Sequence, residues 1–270
     1  MPYLTANSAE LYYESTGNGP ETIVFSHGLL WSGHMFREQV AVLSRQYRVI
    51  TYDHRGQGKS RVTPGGYDMD TLYEDAAGLI EQLSDGPVHF AGLSMGGFIG
   101  MRLAARRPDL LRSLILLKTS ADAEPVENKG KYRTLNTVVR WLGTGAVAKP
   151  VMKIMFGKTF LNDPARTRDY TYWANQLKQN KRSIVRAVAG VIDRKGVYEE
   201  LASITLPTVV LVGDEDVATV PAKARRIHEA IAGSRLIVVP GAGHSSSVEQ
   251  PEAVNQAITA FLSDVAKMAI

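Results

Sequence analysis

Short, nearly continuous apolar runs alternate with segments of helical periodicity along most of this chain. The runs Glu21–Ser26, Tyr47–Asp53, Pro87–Gly92, Ser113–Lys118, Pro207–Gly213 and Arg235–Val239 read as strands. Apolar residues at successive positions, rather than at every second one, suit parallel strands buried on both faces. Between them Leu72, Ala76, Leu79, Ile80 and Leu83 recur at helical spacing, with Gly86 placed to close that helix. Met95–Arg106, Pro221–Ile231 and Val248–Val265 read as further helices, the first stopped ahead of Pro108. Tyr3–Thr5 and Glu10–Ser15 suggest an antiparallel hairpin leading into the sheet. Together these patterns predict an α/β fold, an open and mostly parallel sheet with helices on both faces.

The alternation stops once. After Lys118 no strand pattern returns until Pro207, and Tyr132–Leu142, Val147–Phe156, Asp163–Gln179 and Ser183–Ile192 read as helices. Residues 122–203 are therefore expected to form a helical cap inserted into a body made of residues 1–121 and 204–270. Charge follows the same division, with 15 Lys+Arg against 8 Asp+Glu in 122–203 and 16 against 19 elsewhere. Such a segment is either a solvated helical face or an electropositive cover that steers acidic substrates inward. The overall charge of +4 is too small to imply a nucleic-acid partner. No apolar run approaches the ~18 residues of a membrane span. Met1–Gly17 lacks the basic-then-apolar layout of a secretory signal, so the expected location is the cytoplasm.

The chain has no cysteine, which removes disulfides, thiolate metal sites and a thiol nucleophile. No His, Asp and Glu cluster has ligand spacing, so no metal is expected. The chemistry points instead to Gly92-Leu93-Ser94-Met95-Gly96, which follows one strand and opens the next helix. A sharp strand-to-helix turn crowds its neighbours, and glycine at 92 and 96 removes the clashing side chains. The Ser94 hydroxyl then stands at the sheet edge beside a helix N-terminus, whose free N–H groups suit a developing oxyanion.

A serine needs a base, and the base needs an orienting carboxylate. Of the six histidines, His89 lies in a buried strand, His228 on a helix, and His34 and His54 near loop or helix starts. His27 is expected to brace the loop after the first parallel strand. His244 follows the last strand in a small-residue turn, Pro240-Gly-Ala-Gly-His244, and is the expected base. The expected acid is Asp216, with Asp214 in the same turn as reserve and Asp122 as a third candidate. The order Ser, Asp, His at successive strand ends is what supports this choice.

These motifs resemble those of the α/β-hydrolase superfamily. His27-Gly28-Leu29-Leu30-Trp31-Ser32-Gly33 is similar to its His-Gly loop, and Asp53-His54-Arg55-Gly56-Gln57-Gly58-Lys59-Ser60 to its Asp-x-Arg-Gly-x-Gly-x-Ser turn, which is mainly structural. Gly213-x-x-Asp216 and Gly243-His244 resemble the acid and base turns, and the former favours Asp216 over Asp214. The resemblance implies oxyanion-binding backbone N–H groups at Leu29 and Met95. It also implies a small serine esterase or lactonase acting on acyl-homoserine lactones, enol-lactones, or medium-chain or aromatic esters, without a cofactor. Related members are cofactor-free haloperoxidases and perhydrolases, carbon–carbon bond hydrolases, and receptors that keep the triad. The implied partner is a small ester or lactone. Trp31, in the His-Gly loop, is expected to touch it, while Trp141, Met152, Met155, Phe156, Tyr170, Tyr172 and Trp173 are candidates for an acyl pocket.

Overall fold

A computed structural model describes residues 2–268. Its elements are β1 (Tyr3–Ala6), β2 (Ala9–Thr16), β3 (Thr22–Ser26), α1 (Arg37–Leu43), β4 (Arg48–Tyr52), α2 (Met69–Leu83), β5 (Val88–Leu93), α3 (Met95–Arg106) and β6 (Leu111–Leu117). Then come α4 (Val126–Leu142), α5 (Ala148–Met155), α6 (Lys158–Asn162), α7 (Thr167–Lys178) and α8 (Ile184–Ile192). The chain ends with β7 (Thr208–Gly213), α9 (Pro221–Ala230), β8 (Arg235–Val239), α10 (Ser246–Glu249) and α11 (Pro251–Met268). The 8 strands form one sheet in the order β1-β2-β4-β3-β5-β6-β7-β8. Pairs β1/β2 and β2/β4 are antiparallel, and every pair from β4 to β8 is parallel.

The apolar runs are buried on both sides because successive side chains leave opposite faces of the sheet. Ile23, Phe25, Leu93 and Leu117 join a core with α1 and α11, whereas Val24, Phe90, Leu114 and Leu116 join one with α2, α3 and α9. Val139, Met152, Phe156, Trp173 and Leu177, from the segment between β6 and β7, extend the first of these cores. The parallel strands all point the same way, so the loops after β3, β5, β7 and β8 meet at one edge. No helix among the described residues is long and apolar enough to cross a membrane.

Several boundaries differ from the sequence reading. Gly86 does not close α2: the helix ends at Leu83, and Ser84 in extended conformation takes the last helical bond. The helix expected over Val248–Val265 is two helices, because Gln250 (φ −133°, ψ 60°) precedes Pro251, whose ring disfavours the helical region for the residue before it. Helix α4 begins at Val126, ahead of the expected Tyr132. The short α6 has too few residues to display a period in the sequence.

The Asp53–Ser60 turn beneath the sheet edge is anchored by a buried ion pair. Arg55 Nε donates to Asp75 Oδ2 at 2.7 Å and Arg55 Nη2 to Asp75 Oδ1 at 2.5 Å. Asn7 Nδ2 also donates to this carboxylate, at 3.0 Å. Removing one partner strands the other charge away from water. Asp75→Ala is therefore expected to lower unfolding free energy by about 3–5 kcal/mol in denaturant titration. Asp109→Ala, which breaks an exposed pair with Arg107, is expected to leave the midpoint unchanged.

Candidate active site

Ser94 occupies the turn between β5 and α3 at φ 53°, ψ −108°, a region that side-chain-bearing residues avoid. A Cβ at Gly92 would fall on the Gly96 carbonyl, and one at Gly96 on the Ser26 carbonyl, so glycine is required at both flanks. The turn is tied down through the Ser94 N–H, which donates to Leu117 O at 2.8 Å. The Ser94 carbonyl accepts from Gly97 N at 2.8 Å and Thr119 Oγ1 at 2.8 Å.

His244, in the loop after β8, lies with Nε2 2.8 Å from Ser94 Oγ. Its Nδ1 lies 2.9 Å from Asp216 Oδ2 and 3.2 Å from Oδ1. An ionised carboxylate can only accept, so Nδ1 carries the proton and Nε2 is left to accept from the serine hydroxyl. Asp216 Oδ1 also accepts from Ala218 N at 2.8 Å and Thr219 N at 2.9 Å, and Oδ2 from Thr219 Oγ1 at 2.8 Å. Burial opposes ionisation of Asp216. The adjacent His244 and these donors outweigh it and hold the carboxyl below its ordinary range.

The other acids are engaged elsewhere. Asp214 accepts from Gly241 N at 2.8 Å, Glu215 from Thr159 N at 2.8 Å, and Asp122 pairs with Lys223 at 2.6 Å. Among the remaining histidines, His89 contacts Ser113 Oγ, His34 the Tyr172 hydroxyl and His228 Ser234 Oγ. His27 Nδ1 donates to Gly28 O at 2.7 Å while its Nε2 accepts from His54 N at 3.1 Å. Because the peptide unit is planar, fixing the Gly28 carbonyl also fixes the direction of the Leu29 N–H. Neither Leu29 N–H nor Met95 N–H donates to an acceptor among the described residues. Among the described residues no group of His, Asp and Glu could hold a metal ion.

Ser94 and His244 open into a cavity of about 400 Å³, walled on the helical side by Leu135, Val139, Val151, Ile154, Met155 and Val188. Of the basic residues in 122–203, only Arg194 lines it, and Glu124 neutralises this guanidinium at 2.7 Å. Trp31, expected to contact substrate, does not line this cavity. It is 4% exposed and packs edge-on against Phe156 and Trp173. Of the other acyl-pocket candidates Met155 alone lines the cavity, while Met152, Phe156 and Trp173 are buried in the core and Trp141 is 70% exposed.

Two buried charges behind His244 had no sequence signal beyond their residue type. Glu249 accepts from Gly243 N at 2.9 Å and Ser245 N at 2.9 Å, on either side of His244, and from Gly157 N at 2.7 Å. Lys118, at the end of β6, is fully buried, and its Nζ has no hydrogen-bond partner among the described residues. Burial pushes the Lys118 ammonium down to about 7, against the pull of Asp216, Glu249 and Asp214.

Residues 21–251 match the family model described as the alpha/beta hydrolase fold. The chain is 29% identical to 3-oxoadipate enol-lactonase 2 of Acinetobacter baylyi, over 96% of this chain and 95% of the relative. A solved thermophilic esterase from Thermogutta terrifontis superposes with a TM-score of 0.89 at 31% identity, covering 97% of this chain and 98% of that one. The enol-lactonase from Burkholderia xenovorans LB400 superposes with a TM-score of 0.90 at 30% identity, covering 97% and 100%.

Between pH 7 and about 10 the unfolded chain keeps the Lys118 proton that the folded chain has lost, so raising pH in that window favours folding. Lys118→Met removes the buried amine. The variant is expected to be more stable than the parent at pH 7, with the difference narrowing towards pH 10 in denaturant unfolding. A constant difference across that range would contradict a deprotonating Lys118.

Proposed function

We propose that this chain, which belongs to the alpha/beta-hydrolase fold family, hydrolyses carboxylic esters or lactones through an acyl-enzyme on Ser94. The observation that carries the reading is the hydrogen-bonded line from Ser94 through His244 to Asp216, opening into a mostly apolar cavity. Ser94 Oγ gives its proton to His244 Nε2 and attacks the carbonyl carbon. The N–H groups of Leu29 and Met95 hold the resulting oxyanion. Asp216 stays ionised and stabilises the imidazolium. His244 then protonates the departing alkoxide as the carbon–oxygen bond breaks; in a lactone that oxygen remains tethered to the acyl group. A water, deprotonated by His244, attacks the acyl carbon; the bond from that carbon to Ser94 Oγ breaks, His244 returns the proton to Oγ, and the carboxylic acid leaves.

Residues 122–203 act as a cap over the body of 1–121 and 204–270, supplying the aliphatic wall of the cavity. Within the cavity Glu124 and Glu127 balance Arg194 and Lys223, so the lining carries no net charge. That balance supports a neutral substrate with an apolar acyl chain over an anionic one. The enol-lactonase and esterase relatives support both ring and open-chain esters as substrates.

Ser94→Ala is expected to abolish both fluorophosphonate labelling and turnover of a p-nitrophenyl ester, with far-UV circular dichroism unchanged; turnover above a few per cent, as a rough threshold, would sink the assignment. Asp216→Asn is expected to lower kcat by about 10⁴-fold through the wrong histidine tautomer, and Asp214→Asn to have little effect. Across p-nitrophenyl esters of increasing length, kcat/KM is expected to rise from acetate to medium chains and to be insensitive to salt. Preference for an anionic enol-lactone that fades with salt would overturn the neutral-substrate reading. Labelling without steady-state turnover would point to a receptor instead.

A further inference from the structure

Leu30 lies in the loop after β3 at φ 74°, a left-handed conformation unfavourable to a residue with a Cβ. Both of its backbone polar groups are taken by side-chain amides. Its N–H donates to Gln57 Oε1 at 3.1 Å, and its carbonyl accepts from Asn180 Nδ2 at 2.9 Å. Gln57 belongs to the Asp53–Ser60 turn anchored by Arg55 and Asp75 and is 2% exposed. Its Nε2 reaches Met95 Sδ at 3.8 Å, so one side chain touches the neighbour of Leu29 and also Met95 itself. Asn180 follows α7 and is held by a second bond, to Leu177 O at 3.1 Å. The body grips Leu30 from one side and the helical segment from the other.

We propose that Gln57 and Asn180 are positioning residues for the oxyanion-binding N–H groups, holding Leu30 in its left-handed conformation so that the Leu29 N–H is aimed before substrate arrives. This assignment rests on the reading of Ser94 as nucleophile with Leu29 and Met95 as donors. Without the two amides, Leu30 relaxes towards negative φ, the turn closed by the Trp31 N–H donating to Gly28 O at 3.3 Å opens, and the Gly28–Leu29 unit that carries the N–H is left to the His27 contact alone. A donor that must be re-aimed in each turnover stabilises the transition state less than one already in place. Because the proposed reading places the acyl chain against the aliphatic wall, the effect is expected on the transition state more than on acyl-chain binding.

The test uses Asn180→Ala and Gln57→Ala in the full chain, with kcat and KM for p-nitrophenyl butyrate and the affinity of butylboronic acid, which forms a tetrahedral adduct on the serine. Each variant is expected to lose about 10-fold or more in kcat, short of the 10²–10³-fold of a missing donor, with KM within about twofold. Boronate affinity is expected to fall in proportion to kcat. In a Leu30→Gly background, where the left-handed conformation is free of strain, Asn180→Ala is expected to cost less than it does alone. Thermal midpoints identify any variant that fails to fold. Should Gln57→Ala be such a variant, the half-buried Asn180 and the Leu30→Gly comparison decide the matter alone.

Unchanged kcat and boronate affinity in folded Asn180→Ala, or a loss confined to KM, overturns the assignment. Fluorophosphonate labelling of the parent separates the two levels. Labelling at Ser94 with unaffected variants removes only the roles of Gln57 and Asn180. Absence of labelling removes the nucleophile reading, and this assignment with it.

Discussion

The backbone at Ser94 is held in a conformation that costs a residue with a side chain on the order of 1–3 kcal/mol. Much of the surrounding architecture serves to hold it there. β5 lies between β3 and β6, which fixes both sides of the strand that enters the turn. The Leu117 carbonyl and the Thr119 hydroxyl, both from the β6 end, take the turn's own polar groups. Small residues at 92 and 96 let the helix and the neighbouring strand approach at backbone distance. The result is a hydroxyl projecting from a rigid edge, where the loops after β7 and β8 bring Asp216 and His244 to meet it.

Two buried carboxylates support the loops that carry His244 and Asp216. Asp216 and Glu249 are both buried carboxylates, and each accepts several backbone N–H groups. Such bonds replace the water that a buried charge has lost. They also immobilise loops: the Glu249 carboxylate fastens the backbone on both sides of His244 and, through Gly157, ties it to the segment between α5 and α6. For Glu249 burial prevails over its donors and raises the carboxyl above its ordinary range, whereas for Asp216 the neighbouring imidazole tips the balance the other way.

Charge counted along the sequence, an excess of Lys and Arg in residues 122–203, leaves two readings of that segment open, a solvated face and an anion-attracting cover. In three dimensions nearly all of those side chains lie away from the cavity, and the one that enters is matched by Glu124 at its tip and stacks over Phe98 at 4.4 Å. The helices turn aliphatic faces inward because an amphipathic helix lowers its free energy by burying its apolar stripe and leaving its charges in water.

The sheet and the Ser94 turn were legible in the amino-acid sequence because each depends on neighbours close in the chain: apolar runs for the buried strands, and glycine two positions either side of a serine between a strand and a helix. Asp216 and Asp214 are two residues apart with the same side chain, and the sequence ranked them only by resemblance. The folded loop separates them, since one carboxylate meets His244 and the other the Gly241 N–H. Trp31 belongs to the His-Gly loop in sequence, yet its ring turns towards Phe156 and Trp173, a direction that no local pattern encodes. Gln57 and Asn180 were invisible for the same reason, as their contacts with Leu30 span 27 and 150 positions. Local periodicity and turn chemistry determined which elements form and where the hydroxyl stands. Tertiary packing alone decided which distant side chains face it, because side-chain direction across a gap is set by the register of elements that meet only in the folded chain.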